Sequence, residues 1–199
     1  AMALKWEKLG AKWLHVVDLD GAKDGVMANK DAVKAIAQAL KIPVEVGGGI
    51  RDEGTIADLV AAKIARVILG TKAIENREFL KKMIHLYGDK ICVSLDCNNG
   101  FVAQRGWVSS TTIKATDLAN ELETLGLQWM VYTDIAKDGT LAGPNFEQLQ
   151  TMLNTVKKIK LIASGGIGTI EDVRKLIAMK GIAGAITGKA IYEDKLDLG

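Results

Sequence analysis

Short apolar runs alternate with segments of helical spacing along most of this chain. The clearest run, Ile91-Cys92-Val93-Ser94-Leu95-Asp96, is bounded by polar residues and reads as a buried strand. Side chains alternate along a strand, so Ile91, Val93 and Leu95 share a bulky face suited to packing against helices. Cys92, Ser94 and Asp96 share a smaller, more polar face that ends in a carboxylate. The same reasoning predicts strands at Trp13–Leu19, Ile42–Val46, Ala65–Leu69, Gln128–Thr133, Ile159–Ala163 and Gly184–Thr187. Helical spacing covers Met2–Leu9, Asp31–Leu40, Glu75–Leu86, Thr116–Leu125, Phe146–Val156 and Ile170–Met179, and a helix capped by Thr55 runs to about Ala62. Phe101–Trp107 reads as an extended excursion of a loop. Seven strands alternating with helices of about ten residues imply βαβ units and a parallel sheet.

The pattern also repeats. Leu9-Gly10-Ala11-Lys12-Trp13-Leu14 returns 116 residues later as Leu125-Gly126-Leu127-Gln128-Trp129-Met130, and Asp18 falls on Asp134 at the same spacing. Ala22-Lys23-Asp24-Gly25 returns as Ala136-Lys137-Asp138-Gly139. Gly48-Gly49-Ile50 matches Gly165-Gly166-Ile167, and Gly70-Thr71-Lys72-Ala73-Ile74 matches Gly188-Lys189-Ala190-Ile191 with one residue omitted. Two half-domains of four strand–helix units make a (β/α)₈ TIM barrel. The expectation is therefore a single α/β barrel domain over 1–199, with half-repeats of about 1–88 and 89–199. The counterpart of the Asp96 strand falls roughly twenty residues before Ala1, so the repeat predicts a first strand, and a last outer helix, that the 199 residues do not include.

Composition narrows the class of function. The 199 residues suffice for one sizeable core, with 48% hydrophobic and 25% charged side chains. Lys plus Arg number 26 against 24 Asp plus Glu, which argues against binding nucleic acid by bulk charge. Cys92 and Cys97 fit neither a disulfide framework nor a metal knuckle and read as reduced, buried thiols of a cytoplasmic protein. No apolar run approaches the length of a membrane span, so no membrane partner is expected.

A carboxylate at the C-terminal tip of a parallel strand stands where open sheets and barrels build their sites. Asp96 is thus a candidate acid, although Asn98, Asn99 and Gly100 also suit a turn aspartate. The glycine turns Gly48-Gly49 and Gly165-Gly166 sit where strands end and helices begin, so the backbone can approach an anion closely. Gly70-Thr71 and Gly188-Lys189 lie at the next strand ends and complete each cradle. Paired by the repeat, they imply two phosphate sites and a small-molecule ligand phosphorylated at both ends. Arg51 suits a bidentate phosphate clamp, and Arg105-Gly106-Trp107 suits a lid whose ring stacks on a flat substrate. The competing readings are an exposed helix-start arginine and a tryptophan that merely packs down. Asp18, Thr133, Asp134 and Asp138 are polar strand-tip residues for which turn capping competes. Period two forbids Thr133 and Asp134 from both pointing inward without a bulge. His15 reads as a satisfied interior residue, His85 as a helix C-terminal charge partner, and Trp13 and Trp129 as matched packing residues.

The segments Leu14–Ala22, Val46–Arg51, Ile68–Thr71, Arg105–Trp107 and Thr133–Thr140 resemble the isomerase family of histidine biosynthesis, whose barrel is of the ribulose-phosphate-binding type. The resemblance spans nearly the whole chain. It implies a cofactor-free, metal-free Amadori rearrangement of the bisphosphate aminoaldose ProFAR to the aminoketose PRFAR. It places the family's acid on Asp96 and its assisting threonine on Thr133. It makes Asp18, Gly49, Arg51, Gly70, Thr71, Arg105, Trp107, Asp138, Gly139, Gly165, Gly166, Gly188 and Lys189 substrate contacts. The family's base is an aspartate on the first strand, which falls on no residue here, so isomerase activity of these 199 residues alone is expected to be low. Lys189 stands where the family more often has arginine. A full barrel implies a monomer, whereas these residues alone imply strand complementation or an oligomer. The sister cyclase of the pathway shares the glycine turns but not the Val-Asp-Leu-Asp-Gly-Ala run or the Arg-Gly-Trp loop. A non-catalytic assembly module is the reading from a different class.

Overall fold

The computed structural model describes residues 2–104 and 109–197, and it separates into two compact units that divide after Cys92. The expected lid residues Arg105 and Trp107 lie outside the described residues. The division falls inside a strand, a few residues beyond the half-repeat boundary expected near position 88. Each unit is built of parallel strands alternating with helices, the arrangement of a TIM-barrel-type α/β fold.

In the first unit β1 (Leu14–Val17), β2 (Val44–Gly47) and β3 (Arg66–Leu69) lie side by side and parallel. Helices α1 (Met2–Lys8), α2 (Leu19–Asp24), α3 (Lys30–Ala39), α4 (Glu53–Ala61), α5 (Thr71–Glu75) and α6 (Arg77–Tyr87) connect them. Every residue of β2 and β3 is buried, as expected of parallel strands covered on both faces. Val44, Val46, Val67 and Leu69 form the apolar face, which accounts for the near-absence of polar residues at those positions.

In the second unit the order is β4 (Ile91–Asn98), β7 (Trp129–Asp134), β8 (Lys160–Ser164) and β9 (Ile182–Ile186). Between β4 and β7 the chain makes an antiparallel hairpin of β5 (Phe101–Gln104) and β6 (Ser109–Lys114), which is the extended excursion expected there. Helices α7 (Ala115–Thr124), α8 (Phe146–Thr155), α9 (Ile170–Ala178) and α10 (Lys189–Tyr192) complete it.

Three expectations need correction. The cap of α4 is Asp52, whose carboxylate accepts from both the amide and the hydroxyl of Thr55, because Asp52 precedes the first turn with extended backbone and faces its free donors. The helix expected over Glu75–Leu86 is two helices broken at Asn76, whose extended backbone ends α5 and whose side chain caps α6. Helix α2 escaped the periodicity because six residues hold too few turns to show any. Trp13 and Trp129 do pack in matching fashion, each ring under a cation: Arg66 stands over Trp13 at 4.4 Å and Lys160 over Trp129 at 4.7 Å.

The repeat extends into hydrogen bonds the motifs did not predict. Helix α1 ends with Gly10 in the left-handed region (φ 97), Gly10 donating to Glu7 and Ala11 to Trp6. Helix α7 ends in the same way at Gly126 (φ 91), with Leu127 donating to Leu122. This is the glycine-terminated Schellman motif, and glycine alone reaches that φ without strain. The Glu7 carboxylate then accepts the amides of Lys41 and Ile42, and 116 residues later the Glu123 carboxylate accepts those of Lys157, Lys158 and Ile159.

Candidate functional site

At the tip of β4, Leu95 is fully buried while Asp96 keeps access to solvent, and the Ser94 hydroxyl donates to its Oδ1 at 3.1 Å. Alternation therefore puts the bulky residues in the core and the carboxylate at the strand end, as the sequence pattern required. Cys97 turns back into the core. Burial first, then the negative charges of Asp96 and Asp134, push its thiol up to about 12. The buried Tyr132 hydroxyl lies against that thiol without hydrogen-bond geometry, and burial raises its titration as well.

Strand β7 ends in Thr133 and Asp134, exposed by only 6% and 5%. Its register with β8 is regular, Thr133 facing Ser164, so no bulge reconciles the two. Asp134 instead bends its carboxylate into the following loop, where it accepts from the Ala136 amide at 2.9 Å and the Asn145 side-chain amide at 2.6 Å. Thr133 keeps the other direction, its methyl lying 3.5 Å from where a Cβ on Gly165 would stand. Asp134's carboxylate is thereby committed to its own loop.

The loop after β7 brings the second-unit candidates together. The Asp134 carbonyl accepts the amides of Lys137 and Asp138, each at 3.0 Å, and Lys189 donates from Nζ to the Gly139 carbonyl at 2.8 Å. Gly143 donates to the Gly166 carbonyl at 2.9 Å. Gly165 and Gly166 both have positive φ, and a Cβ at either would press on backbone, 2.9 Å from the Asp134 carbonyl oxygen and 2.5 Å from that of Gly143. Only glycine permits this approach. Gly139 and Gly188, by contrast, have nothing within 4 Å of a Cβ position, so the space beside them is open.

The first unit repeats the arrangement. A Cβ on Gly49 would lie 2.7 Å from the Gly21 carbonyl oxygen and the Met27 amide, one on Gly48 would strike the Asp18 carbonyl, and Gly70 faces open space ahead of Thr71. Asp18 caps α2, the competing reading for a strand-tip carboxylate. Its buried carboxylate accepts from Gly21, Ala28 and the backbone and side-chain amides of Asn29, at 2.7 to 3.0 Å. Burial works to raise its titration, and these four donors outweigh burial and lower it. Its work is to hold the loop. Arg51 is exposed, and its guanidinium lies beside Gly25.

A buried ionic network went unpredicted. Glu45 receives Arg66 at 2.6 Å and His15 at 2.8 Å, from register partners on the two neighbouring strands. The readable signal was the lone carboxylate in Val44-Glu45-Val46, which a buried strand tolerates only when paired. Asn29 and Asn145 were also overlooked, although each follows its strand-tip aspartate by eleven residues. Among the described residues no group of three or more His, Cys, Asp or Glu is placed to hold a metal ion, and no helix is long and apolar enough to cross a membrane.

Comparison with known proteins adds a family to this geometry. Residues 1–197 match the family model described as histidine biosynthesis protein. A relative from Brevibacillus brevis is 49% identical over 200 residues, covering all of this chain and 80% of that protein. One from Bacillus cereus is 52% identical over 198 residues, covering all of this chain and 82% of its own length. Both are named as isomerases of an imidazole-4-carboxamide bearing a 5-phosphoribosyl and a 5-phosphoribosylamino group.

Proposed function

Because the chain belongs to the histidine biosynthesis protein family, we propose that it isomerises ProFAR, the bisphosphate aminoaldose, to the aminoketose PRFAR. One observation supports the reading beyond family membership: each unit holds a glycine turn seated on backbone and, at the next strand end, a glycine with open space beside it. A substrate with two phosphoribosyl groups has one phosphate for each.

In this reading Asp96 is the general acid. It protonates the ribose ring oxygen, the ring opens to a Schiff base, the family's base aspartate takes the C2′ proton, and tautomerisation of the resulting enaminol yields the aminoketose. The Ser94 hydroxyl fixes the carboxyl rotamer, and Thr133 assists from the tip of β7. Arg51 serves the first cradle and Lys189 the second, the lysine meeting phosphate as a point charge rather than a fork.

Asp96→Asn tests the assignment. Turnover should fall by about 10²–10⁴, the range for loss of a general acid, with the thermal midpoint unchanged. An unchanged rate would remove Asp96 from the mechanism.

A further inference from the structure

We infer that Asn29 and Asn145 are positioning residues, paired side-chain straps that hold each strand-tip loop against its phosphate cradle. The inference rests on the reading of the two glycine turns as cradles. In the second unit the Asn145 side chain does two jobs. Its Nδ2 donates to Asp134 Oδ2 at 2.6 Å, and its Oδ1 accepts the Gln148 amide at the start of α8. The strap therefore ties the tip of β7 to the first turn of α8 and closes the loop that contains Asp138, Gly139 and Gly143. Gly143 in turn donates to the Gly166 carbonyl, so the closed loop rests on the glycine turn.

The first unit carries the same bond between Asn29 Nδ2 and Asp18 Oδ1 at 2.8 Å, 116 residues earlier at both ends. There the strapped loop rests on Gly49 through Val26 and Met27. Between the paired residues, Leu19–Ala28 and Ile135–Pro144, the shared Ala-Lys-Asp-Gly is displaced by two residues, so the same bond closes two loops that differ in register. A capping role alone does not account for the repetition. Asn29 makes no side-chain cap to α3, yet it keeps its bond to the aspartate. What the two asparagines share is the loop they close, and each closed loop supports one cradle.

The experiment is titration calorimetry of the chain with ProFAR, alongside thermal melting. Loss of a hydrogen bond to a charged partner predicts that Asn145→Ala and Asn29→Ala each weaken ProFAR binding roughly tenfold, while melting stays cooperative. The exchange Asp134→Asn with Asn145→Asp keeps one donor facing one carboxylate and leaves an oxygen for Gln148, so it should restore affinity to within about threefold. Variants that melt earlier but bind ProFAR as tightly as the unmodified chain would show the straps to be merely structural and overturn the inference. Should Asn145→Ala fail to fold, Asn29→Ala and the exchanged pair decide by the same criterion. Failure of the unmodified chain to bind ProFAR would instead overturn the isomerase reading itself.

Discussion

Lys189 donates its ammonium to the Gly139 carbonyl at 2.8 Å, joining the first residue of α10 to the loop that follows β7. The open glycines at 139 and 188 flank this contact. An ammonium has three donors; one goes to Gly139 and Glu193 Oε1 stands 3.8 Å away as an ion-pair partner, so an anion placed there competes with Glu193 for the charge. Lys189→Ala should raise the ProFAR dissociation constant about tenfold, and Lys189→Arg should stay within about threefold. Unchanged affinity in the alanine variant would take Lys189 out of the cradle.

Glu45 lies between Arg66 and His15 with only 4% of its side chain exposed, against 5% for Arg66. Removing one partner of such a pair strands the other charge in the core. Glu45→Ala should therefore cost about 3–5 kcal/mol in denaturant unfolding, and a loss below about 1 kcal/mol would contradict the account of the network.

The Glu123 latch gives a pH dependence. Burial raises its titration, but the amides of Lys158, Lys157 and Ile159 outweigh burial and hold it below the ordinary value of 4.5. A carboxylate depressed in the folded state stabilises above its unfolded value, and that contribution is lost as pH falls through the folded value. Glu123→Gln should remove part of the acid sensitivity below about pH 4.5 and lower stability at pH 7 by about 1–2 kcal/mol. Parallel acid-unfolding curves for the two proteins would refute the latch.

Cys97 offers a chemical check on the core. With its thiol pushed up to about 12, almost no thiolate exists at pH 8, and the residue is fully buried. Native protein should resist iodoacetamide at Cys97 for hours, while denatured protein reacts in minutes. Rapid native labelling would place the thiol outside the packed face of β4.

Much of this was legible in sequence because burial in a parallel sheet leaves a strong mark. The β4 run, the glycine turns and the 116-residue repeat each announced a strand end, and those ends hold Asp96, Gly49 and Gly165. What stayed hidden was decided by side-chain reach rather than periodicity. Asp18 looked like a ligand residue because strand-tip carboxylates so often are. Only geometry shows four donors already on it. Asn29 and Asn145 sit in loops, where no hydrophobic period marks a residue, and the Thr55 cap was displaced by a carboxylate three residues earlier.

The proposed function rests on duplication: each of the two units holds a glycine turn proposed to receive one phosphate of the substrate. Its most direct test is to titrate the chain with ProFAR and with two analogues, each lacking one of the two phosphates. Loss of either phosphate should weaken binding at least about tenfold, since each removes a set of charge-assisted hydrogen bonds. Equal affinity for ProFAR and either monophosphate would leave one cradle without a ligand and contradict the claim.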